Sequence, residues 1–345
     1  MQRLAARRGF GAAAAVALTW AGLASAGLEQ DAPAAPEVPA FHHLHLNASD
    51  PDASIRFYER QFPTTARVEP VAGFPAARTG HVLLLFSKAR RAASSRPSSP
   101  RPSALQPQSA YWHFGWHVPD TRAYWERYRS TGAPLTPLHT DDGGSVTFSN
   151  EWLPGTLTKA AAEAARAKAV RAQAGGYGYL TGPDGEWVEF AGDLPAERFN
   201  HVHMFQEDVF CAELWYARNL HAPVSVTAQR STNRKTAPAD CRVPKGEPSW
   251  LSLVPEGTIR VPQGGVAFGD VEMNWYQRQG ARPLAPSSGG AMDHVGLQVH
   301  GLDAWLARLR QNGVRILKRP YRFGSGRAAL IEGPSREAIE LVEVP

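Results

Sequence analysis

Apolar and polar residues alternate in short segments of this chain, and each such segment leads into a helical pattern. In "FHHLHLNASDPDASIRFYERQF", residues 41–62, the alternating stretch ends at Asp50 and is followed by apolar residues at helical spacing. Alternation places His43 and His45 on one face of the strand. The pattern therefore predicts a strand, an acidic turn and an amphipathic helix.

The same pattern occurs again without a gap. A shift of 158 residues places "FNHVHMFQEDVFCAELWYARNL", residues 199–220, over the first segment. His201 and His203 then match the two histidines of the first strand, and Asp208 matches its acidic turn. The match indicates a duplicated strand-helix unit with two imidazoles on the same strand face.

A second kind of strand-helix unit is also duplicated, at a shift of 181 residues. "YWHFGWHVPDTRAYWERYRSTGAP" overlies "MDHVGLQVHGLDAWLARLRQNGVR", so that His113 meets His294 and Gly115 meets Gly296. Glycines follow both helical patterns in the position of a C-cap, which predicts where the helices end.

A third match closes each half of the chain. "GYLTGPDGEWVEFAG" and "ALIEGPSREAIELVEV" both read as strand, tight turn and strand, and Glu189 overlies Glu340. Four strand-helix units therefore group into two similar halves, and we expect domains at residues 41–194 and 199–345.

The chain begins with an export signal, according to its composition. Residues 1–26 combine a basic start, a short Ala-rich apolar run and the small-residue site "ASA", and "ARRGFG" resembles a twin-arginine signal. Residues 27–40 are rich in Ala and Pro and suit a flexible lead-in. The expected mature protein is periplasmic or secreted, without stable membrane insertion.

Length, charge and cysteine content narrow the classes further. The chain has 345 residues with 43% hydrophobic and 20% charged residues, which suits about two globular domains. Removal of the signal would lower the net charge from +5 to +2, too little to drive nucleic-acid binding. Cys211 and Cys241 either pair or remain separate, and neither belongs to a Cys-x-x-Cys motif.

The repeated strands, acidic turns and "GPDGxxxE" motif together resemble the vicinal oxygen chelate superfamily, which includes glyoxalase I, type I extradiol dioxygenases and bleomycin resistance proteins. The resemblance covers nearly all of residues 41–345. It implies an α+β fold of two tandem domains, in which paired βαβββ modules form a cupped mixed sheet. It also implies two metal sites, with the ligands His43, His113 and Glu189 in the first domain and His201, His294 and Glu340 in the second.

Two neutral imidazoles and one carboxylate suit a divalent ion and leave coordination positions open for substrate. Iron(II) and manganese(II) are the favoured ions, and zinc(II) is a third candidate. Such a centre would act as a Lewis acid on two neighbouring substrate oxygens. The alternative is that the histidines are only structural.

Three further residues are candidates for catalysis. His45 and His203 would serve as acid-base groups beside the metal, or would line the pocket or hold a ligand in place. Tyr179 precedes Glu189 by ten residues, as a tyrosine does in extradiol dioxygenases, and is otherwise an ordinary strand aromatic. His117 has no histidine counterpart in the second half, which favours a structural role.

No nucleophile elbow, phosphate-binding glycine loop or basic-aromatic stripe is present in the sequence. The expectation is an exported metal-dependent enzyme, dioxygenase-like or lyase/isomerase-like, acting on a small oxygen-rich or aromatic substrate. The first half is favoured for chemistry because it carries Tyr179. A metal-free binding protein of the same fold, like the bleomycin resistance proteins, is the alternative.

Overall fold

A computed structural model describes nine stretches of the chain, which include both predicted domains but not the predicted export signal at residues 1–26 or residues 27–36 of the lead-in. They are residues 37–89, 109–136, 139–140, 146–147, 176–192, 195–226, 241, 264–278 and 283–344.

The described residues form mostly strands, with four helices on their outside in sequence order. The strands are β1 (Ala40–Ala48), β2 (Thr65–Val71), β3 (Phe74–Thr79), β4 (Val82–Lys88), β5 (Tyr111–His117), β6 (Leu135–Thr136), β7 (His139–Thr140), β8 (Val146–Thr147), β9 (Tyr177–Thr181), β10 (Trp187–Ala191), β11 (Arg198–Gln206), β12 (Gly264–Phe268), β13 (Val271–Gln277), β14 (Met292–Gln298), β15 (Ile316–Phe323), β16 (Gly326–Glu332) and β17 (Ala338–Glu343). The helices are α1 (Pro51–Gln61), α2 (Thr121–Ser130), α3 (Val209–Leu220) and α4 (Leu302–Gln311).

The predicted acidic turns are helix N-caps. Asp50 accepts a hydrogen bond from the amide of Ala53, and Asp208 accepts from the amides of residues 210 and 211. These side chains satisfy amides that have no partner within the helix. Gly132 and Gly313 follow α2 and α4 with φ of 66° and 78°, the left-handed conformation that a glycine C-cap provides.

The strands build two main mixed sheets, as the α+β prediction of paired βαβββ modules requires. Four modules follow one another: module 1 (residues 40–88), module 2 (111–191), module 3 (198–277) and module 4 (292–343). Modules 1 and 4 form the outer sheet, in the order β15-β16-β17-β14-β1-β4-β3-β2. Modules 2 and 3 form the inner sheet, in the order β12-β13-β11-β5-β10-β9-β6.

Modules therefore pair across the two sequence halves rather than within them. In the outer sheet β1 runs antiparallel to β14, and in the inner sheet β5 runs antiparallel to β11. A strand edge is satisfied by any edge of matching register, so the choice of partner rests on tertiary packing and not on local sequence. The ligand sets expected within each half must accordingly be regrouped.

One hydrophobic core joins the helix-facing sides of both sheets. Leu44 and Val202 are fully buried in it, on the faces opposite to the histidines of β1 and β11. Aromatic rings connect the modules, for example Phe62 stacked on Trp116 with ring centroids 3.9 Å apart. Each such side chain contributes about 1.5–3 kcal/mol through burial. Packing of one strand face thus fixes the histidines on the other.

Two buried tyrosine-glutamate pairs also link the sheets. Tyr58 of α1 donates a 2.5 Å hydrogen bond to Glu186 of module 2, and Tyr216 of α3 donates a 2.8 Å bond to Glu337 of module 4. Each pair connects one module of the outer sheet with one module of the inner sheet. Burial raises the pKa of both glutamates.

The cysteine question has a clear structural answer. Cys211 in α3 forms a disulfide with Cys241, which lies 30 residues later in the chain. The bond attaches part of the long segment between α3 and β12 to the helix. None of the helices in the described part of the chain has the length and apolar character that membrane crossing requires.

Candidate metal centres

The antiparallel seam of each sheet brings histidines from two modules together. In the inner sheet His203 of β11 lies opposite His113 of β5, and in the outer sheet His45 of β1 lies opposite His294 of β14. The parallel neighbours β10 and β17 add a glutamate each, in register with a seam glycine. The same register thus creates two similar clusters, here called the inner centre and the outer centre.

The inner centre consists of His113, Glu189, His201 and His203. One potential ligand atom from each lies within 4.8 Å of all the others. Glu189 Oε2 is 2.7 Å from His113 Nε2, 3.5 Å from His201 Nε2 and 3.8 Å from His203 Nδ1. The carboxylate oxygen is therefore the common neighbour of all three imidazoles.

The outer centre consists of His43, His45, His294 and Glu340. The three imidazoles offer nitrogen atoms within 4.8 Å of one another. Glu340 lies at their side, with Oε2 3.4 Å from His43 Nε2 and Oε1 3.8 Å from His294 Nε2. His45 differs from its inner counterpart because its Nε2 is hydrogen-bonded to Ser87 Oγ at 2.8 Å.

The six expected ligands come together, but in other groups than the resemblance implied. His43 does not join His113 and Glu189; His201 takes that place, and His43 joins His294 and Glu340. The expected grouping by sequence half was wrong because each seam is formed by strands from different halves. Of the acid-base candidates, His203 and Tyr179 lie at the inner centre and His45 at the outer one.

A glycine at each seam makes room for a ligand ring. A Cβ atom at Gly296 would lie 2.0 Å from His43 Cε1, and one at Gly115 would lie 2.6 Å from His201 Cε1. Either distance is well inside van der Waals contact, so any side chain there would displace the imidazole. The sequence match of these two glycines reflects this shared requirement.

Residues next to the ligands orient the imidazoles. His201 Nδ1 donates to Asn200 Oδ1 at 2.7 Å, and His294 Nδ1 donates to Asp293 Oδ1 at 2.6 Å. Each bond holds the proton on Nδ1 and leaves the Nε2 lone pair facing the centre. Sequence reasoning missed both residues, although each directly precedes a proposed ligand.

A tyrosine contacts the glutamate of each centre. Tyr179 hydrogen-bonds Glu189 from the adjacent strand β9. The corresponding place in module 4 holds Leu330, but Tyr321 of β15 donates to Glu340 instead. The sequence gave no sign of Tyr321, because it lies on a different strand from its functional counterpart.

Burial decides the charge of the ligand groups. It lowers the pKa of His43, His113 and His203, and together with His294 it lowers that of His45 to about 3. Burial also opposes ionisation of Glu189, but His201 and the bond from His113 hold its pKa well below the usual value. Neutral imidazoles beside an ionised carboxylate are the protonation states that metal ligands require.

Unpartnered buried atoms test whether a metal fits. Both centres contain nitrogens that have no hydrogen-bond partner among the described residues, and the outer one also has such a carboxylate oxygen: His43 Nε2, His294 Nε2, Glu340 Oε2, His201 Nε2 and His203 Nδ1. Buried polar atoms without partners are rare and costly. A divalent ion would satisfy them, so the residues present fit a metal.

The family comparison gives a clear result. The model of the Glyoxalase/Bleomycin resistance protein/Dioxygenase superfamily matches residues 40–190 and 198–341. The chain belongs to this superfamily. Each matched region of the superfamily contains one outer-sheet and one inner-sheet module, so the sequence repeat and the sheet pairing divide the molecule differently.

Solved structures of the superfamily fold are similar over most of the chain. Glyoxalase I from Zea mays aligns with a TM-score of 0.55 and 14% identity, covering 88% of this chain and 92% of that one. Two mutants of the maize protein give TM-scores of 0.54 and 0.51, with 15% and 14% identity, over 88% and 89% of this chain and 92% and 94% of theirs. At these identities the likeness concerns the fold. A comparison with curated proteins gave no match.

Within this superfamily fold, aromatic rings surround the inner centre. Tyr179 lies 4.9 Å from His113 between ring centroids, and Tyr276 lies 5.7 Å from His203. Trp112 packs on Tyr276 at 5.2 Å. His117 lies farther out, 6.1 Å from His201, and is outside the group of four.

Proposed function

We propose that this protein is an exported, metal-dependent enzyme of the glyoxalase/extradiol dioxygenase type that acts on a small oxygen-rich or aromatic substrate. The observation that carries the proposal is the inner centre, where an ionised glutamate and unpartnered imidazole nitrogens converge. A purely structural cluster would satisfy these atoms with hydrogen bonds.

The residues of the inner centre have separate tasks in this proposal. His113, Glu189 and His201 hold the ion, with Fe(II) or Mn(II) favoured and Zn(II) as a third candidate. The bound ion supplies Lewis-acid stabilisation of charge on neighbouring substrate oxygens. The proton that His113 Nε2 shares with Glu189 leaves when the ion binds, because both atoms then serve as ligands.

The aromatic surroundings favour the inner centre for chemistry. Tyr179 holds Glu189 by a hydrogen bond, and Trp112 and Tyr276 form an aromatic wall beside the imidazoles. Aromatic walls exclude water and suit the face of a planar ring. This arrangement supports an aromatic substrate with two adjacent oxygens, such as a catechol, over an aliphatic one.

Export is part of the proposal. The N-terminal signal pattern and the Cys211–Cys241 disulfide both suit an oxidising compartment such as the periplasm or the cell exterior. The partner is a small molecule, and the small net charge of the mature chain does not favour nucleic acid.

A metal-free binding protein of the same fold is the alternative, since both seams would also line a ligand pocket. We expect purified protein to contain about one or two equivalents of metal per chain, with loss of the inner ion in His201→Ala and loss of the outer ion in His43→Ala. Elemental analysis measures this directly, and catechol turnover is followed with the same samples. Protein that takes up no stoichiometric metal after reconstitution, yet binds catechols, would favour the binding protein.

A further inference from the structure

His203 occupies an unusual place at the inner centre. Its ring lies 4.5 Å from the ring of His113 and 4.6 Å from that of His201, measured between centroids. Its Nδ1 is buried, lies 3.8 Å from Glu189 Oε2 and makes no hydrogen bond to any described residue. The nitrogen thus faces the position that the three expected ligands surround.

Strand geometry allows both histidines of β11 to serve one ion. Residues two apart on a strand project from the same face, so His201 and His203 present their rings side by side. Opposite them, His113 is the register partner of His203. Three imidazoles and one carboxylate therefore meet from three adjacent strands.

The outer centre shows what a different use of this position looks like. His45 corresponds to His203, but its Nε2 is bound to Ser87. Glu340 also lies outside the group of three outer imidazoles whose atoms all meet within 4.8 Å, whereas Glu189 is inside its group. Only the inner centre brings all four side chains together among the described residues.

We propose that His203 is a fourth protein ligand of the inner centre, bonded through Nδ1, which gives a three-histidine, one-glutamate set. The inference rests on the proposed metal-dependent function and refines the metal site. A ligand nitrogen cannot also exchange protons with substrate, so His203 then has no acid-base role.

Four protein ligands also constrain which ion supports activity. They complete the shell of a tetrahedral ion, as in structural zinc sites. A six-coordinate ion such as Mn²⁺ keeps two adjacent substrate oxygens within reach of its remaining positions. Zinc at this centre would bind tightly and leave no position for substrate.

The test uses the full chain with the outer centre removed by His294→Gln and Glu340→Gln, so that one site is titrated. Metal-free protein is titrated with Co²⁺ and followed by calorimetry and by visible absorption, which reports the ligand set. Three further variants are compared in this background: His203→Gln, His201→Gln and the control His117→Gln. His117 removes an imidazole from the same sheet face without touching the group of four.

We expect His203→Gln to weaken Co²⁺ binding by more than about 100-fold, beyond the loss typical of residues behind a ligand, and to change the absorption spectrum. His117→Gln should leave both unchanged. Circular dichroism checks folding, and His203→Asn replaces His203→Gln if the latter does not fold. If His203→Gln binds like the reference while His201→Gln does not, the fourth ligand is wrong and the three-ligand site remains. If the reference binds no Co²⁺, the fourth ligand and the metal-dependent function both fail.

Discussion

The inner and outer centres have the same ligand types at matched strand positions, yet their surroundings differ. His201 is oriented by a neutral amide, Asn200, whereas His294 is oriented by a carboxylate, Asp293. Burial and its neighbours leave the pKa of Glu189 lowered but that of Glu340 raised. The inner glutamate is therefore the better anionic ligand in the absence of a metal.

This difference shows which features the strand register determines. Register places the two histidines, the glutamate and the seam glycine in both sheets. It does not determine the neighbouring residues that set tautomer and charge. Two centres with one backbone plan can consequently differ in metal affinity and in function.

The largest effect is expected from filling the seam glycines. Gly296→Ala places a Cβ against His43 alone, whereas Gly115→Ala places one against His201 and also 2.7 Å from the Glu189 carbonyl oxygen. Each variant should lose the metal of its own centre and keep the other, which serves as the internal control. Overpacking should cost about 1–3 kcal/mol, more for Gly115→Ala because backbone must move. Elemental analysis and thermal unfolding measure both, and loss of the wrong ion would refute the sheet assignment.

A smaller effect is expected from exchanging the orienting residues. Asp293→Asn removes the negative charge behind His294 and sets an amide against the amide of Asn47, now 2.9 Å from Asp293 Oδ2. We expect the metal affinity of the outer centre to fall about 10–100-fold. Asn200→Asp should instead raise the affinity of the inner centre. Calorimetric titration of each variant, with the opposite centre disabled, checks the two signs; equal and unchanged affinities would show that these neighbours do not tune the centres.

The smallest effect on metal binding is expected from the tyrosines that link the sheets. Tyr58→Phe should leave both ions in place and lower the unfolding free energy by about 1–3 kcal/mol, because Glu186 loses a buried donor. Tyr216→Phe should cost less, since Gln206 and the Ser335 amide still contact Glu337. Chemical denaturation with metal analysis measures this; metal loss in either variant would show that the links position the centres.

The same links predict a pH dependence. The pKa of Glu186 is raised in the folded state, so its contribution to stability is present below its unfolded value and is lost as pH rises through the folded value. Removing Tyr58, which favours the ionised form, raises the folded pKa further. The cost of Tyr58→Phe should therefore be larger at pH 8 than at pH 4, and a cost independent of pH would contradict a charged acceptor.

Local patterns predicted most of the elements and the ligand types. Alternation put His43 and His45 on one face, and the acidic N-caps were readable because capping depends on neighbouring residues. The repeat also contained Glu186 and Glu337 at matched places, although their role as tyrosine acceptors needed the structure.

The pairing of modules was not predictable in the same way. Local alternation describes a strand edge but not which distant edge it meets, so β1 was expected beside its own half and lies beside β14. Tyr321 was missed for a related reason, because it reaches Glu340 from β15 and replaces the side chain absent at Leu330. Both depend on contacts between parts of the chain that are far apart in sequence.

The nested order of the modules has a consequence for how the chain folds. Modules 2 and 3 are neighbours in sequence, so the inner sheet closes a comparatively short loop, whereas β1 must wait for β14 near the other end of the chain. Long-range pairing of this kind carries a greater loop-closure cost and forms slowly. Newly made protein should hence acquire a competent inner centre first, with module 1 left as an unpaired edge until synthesis is nearly complete.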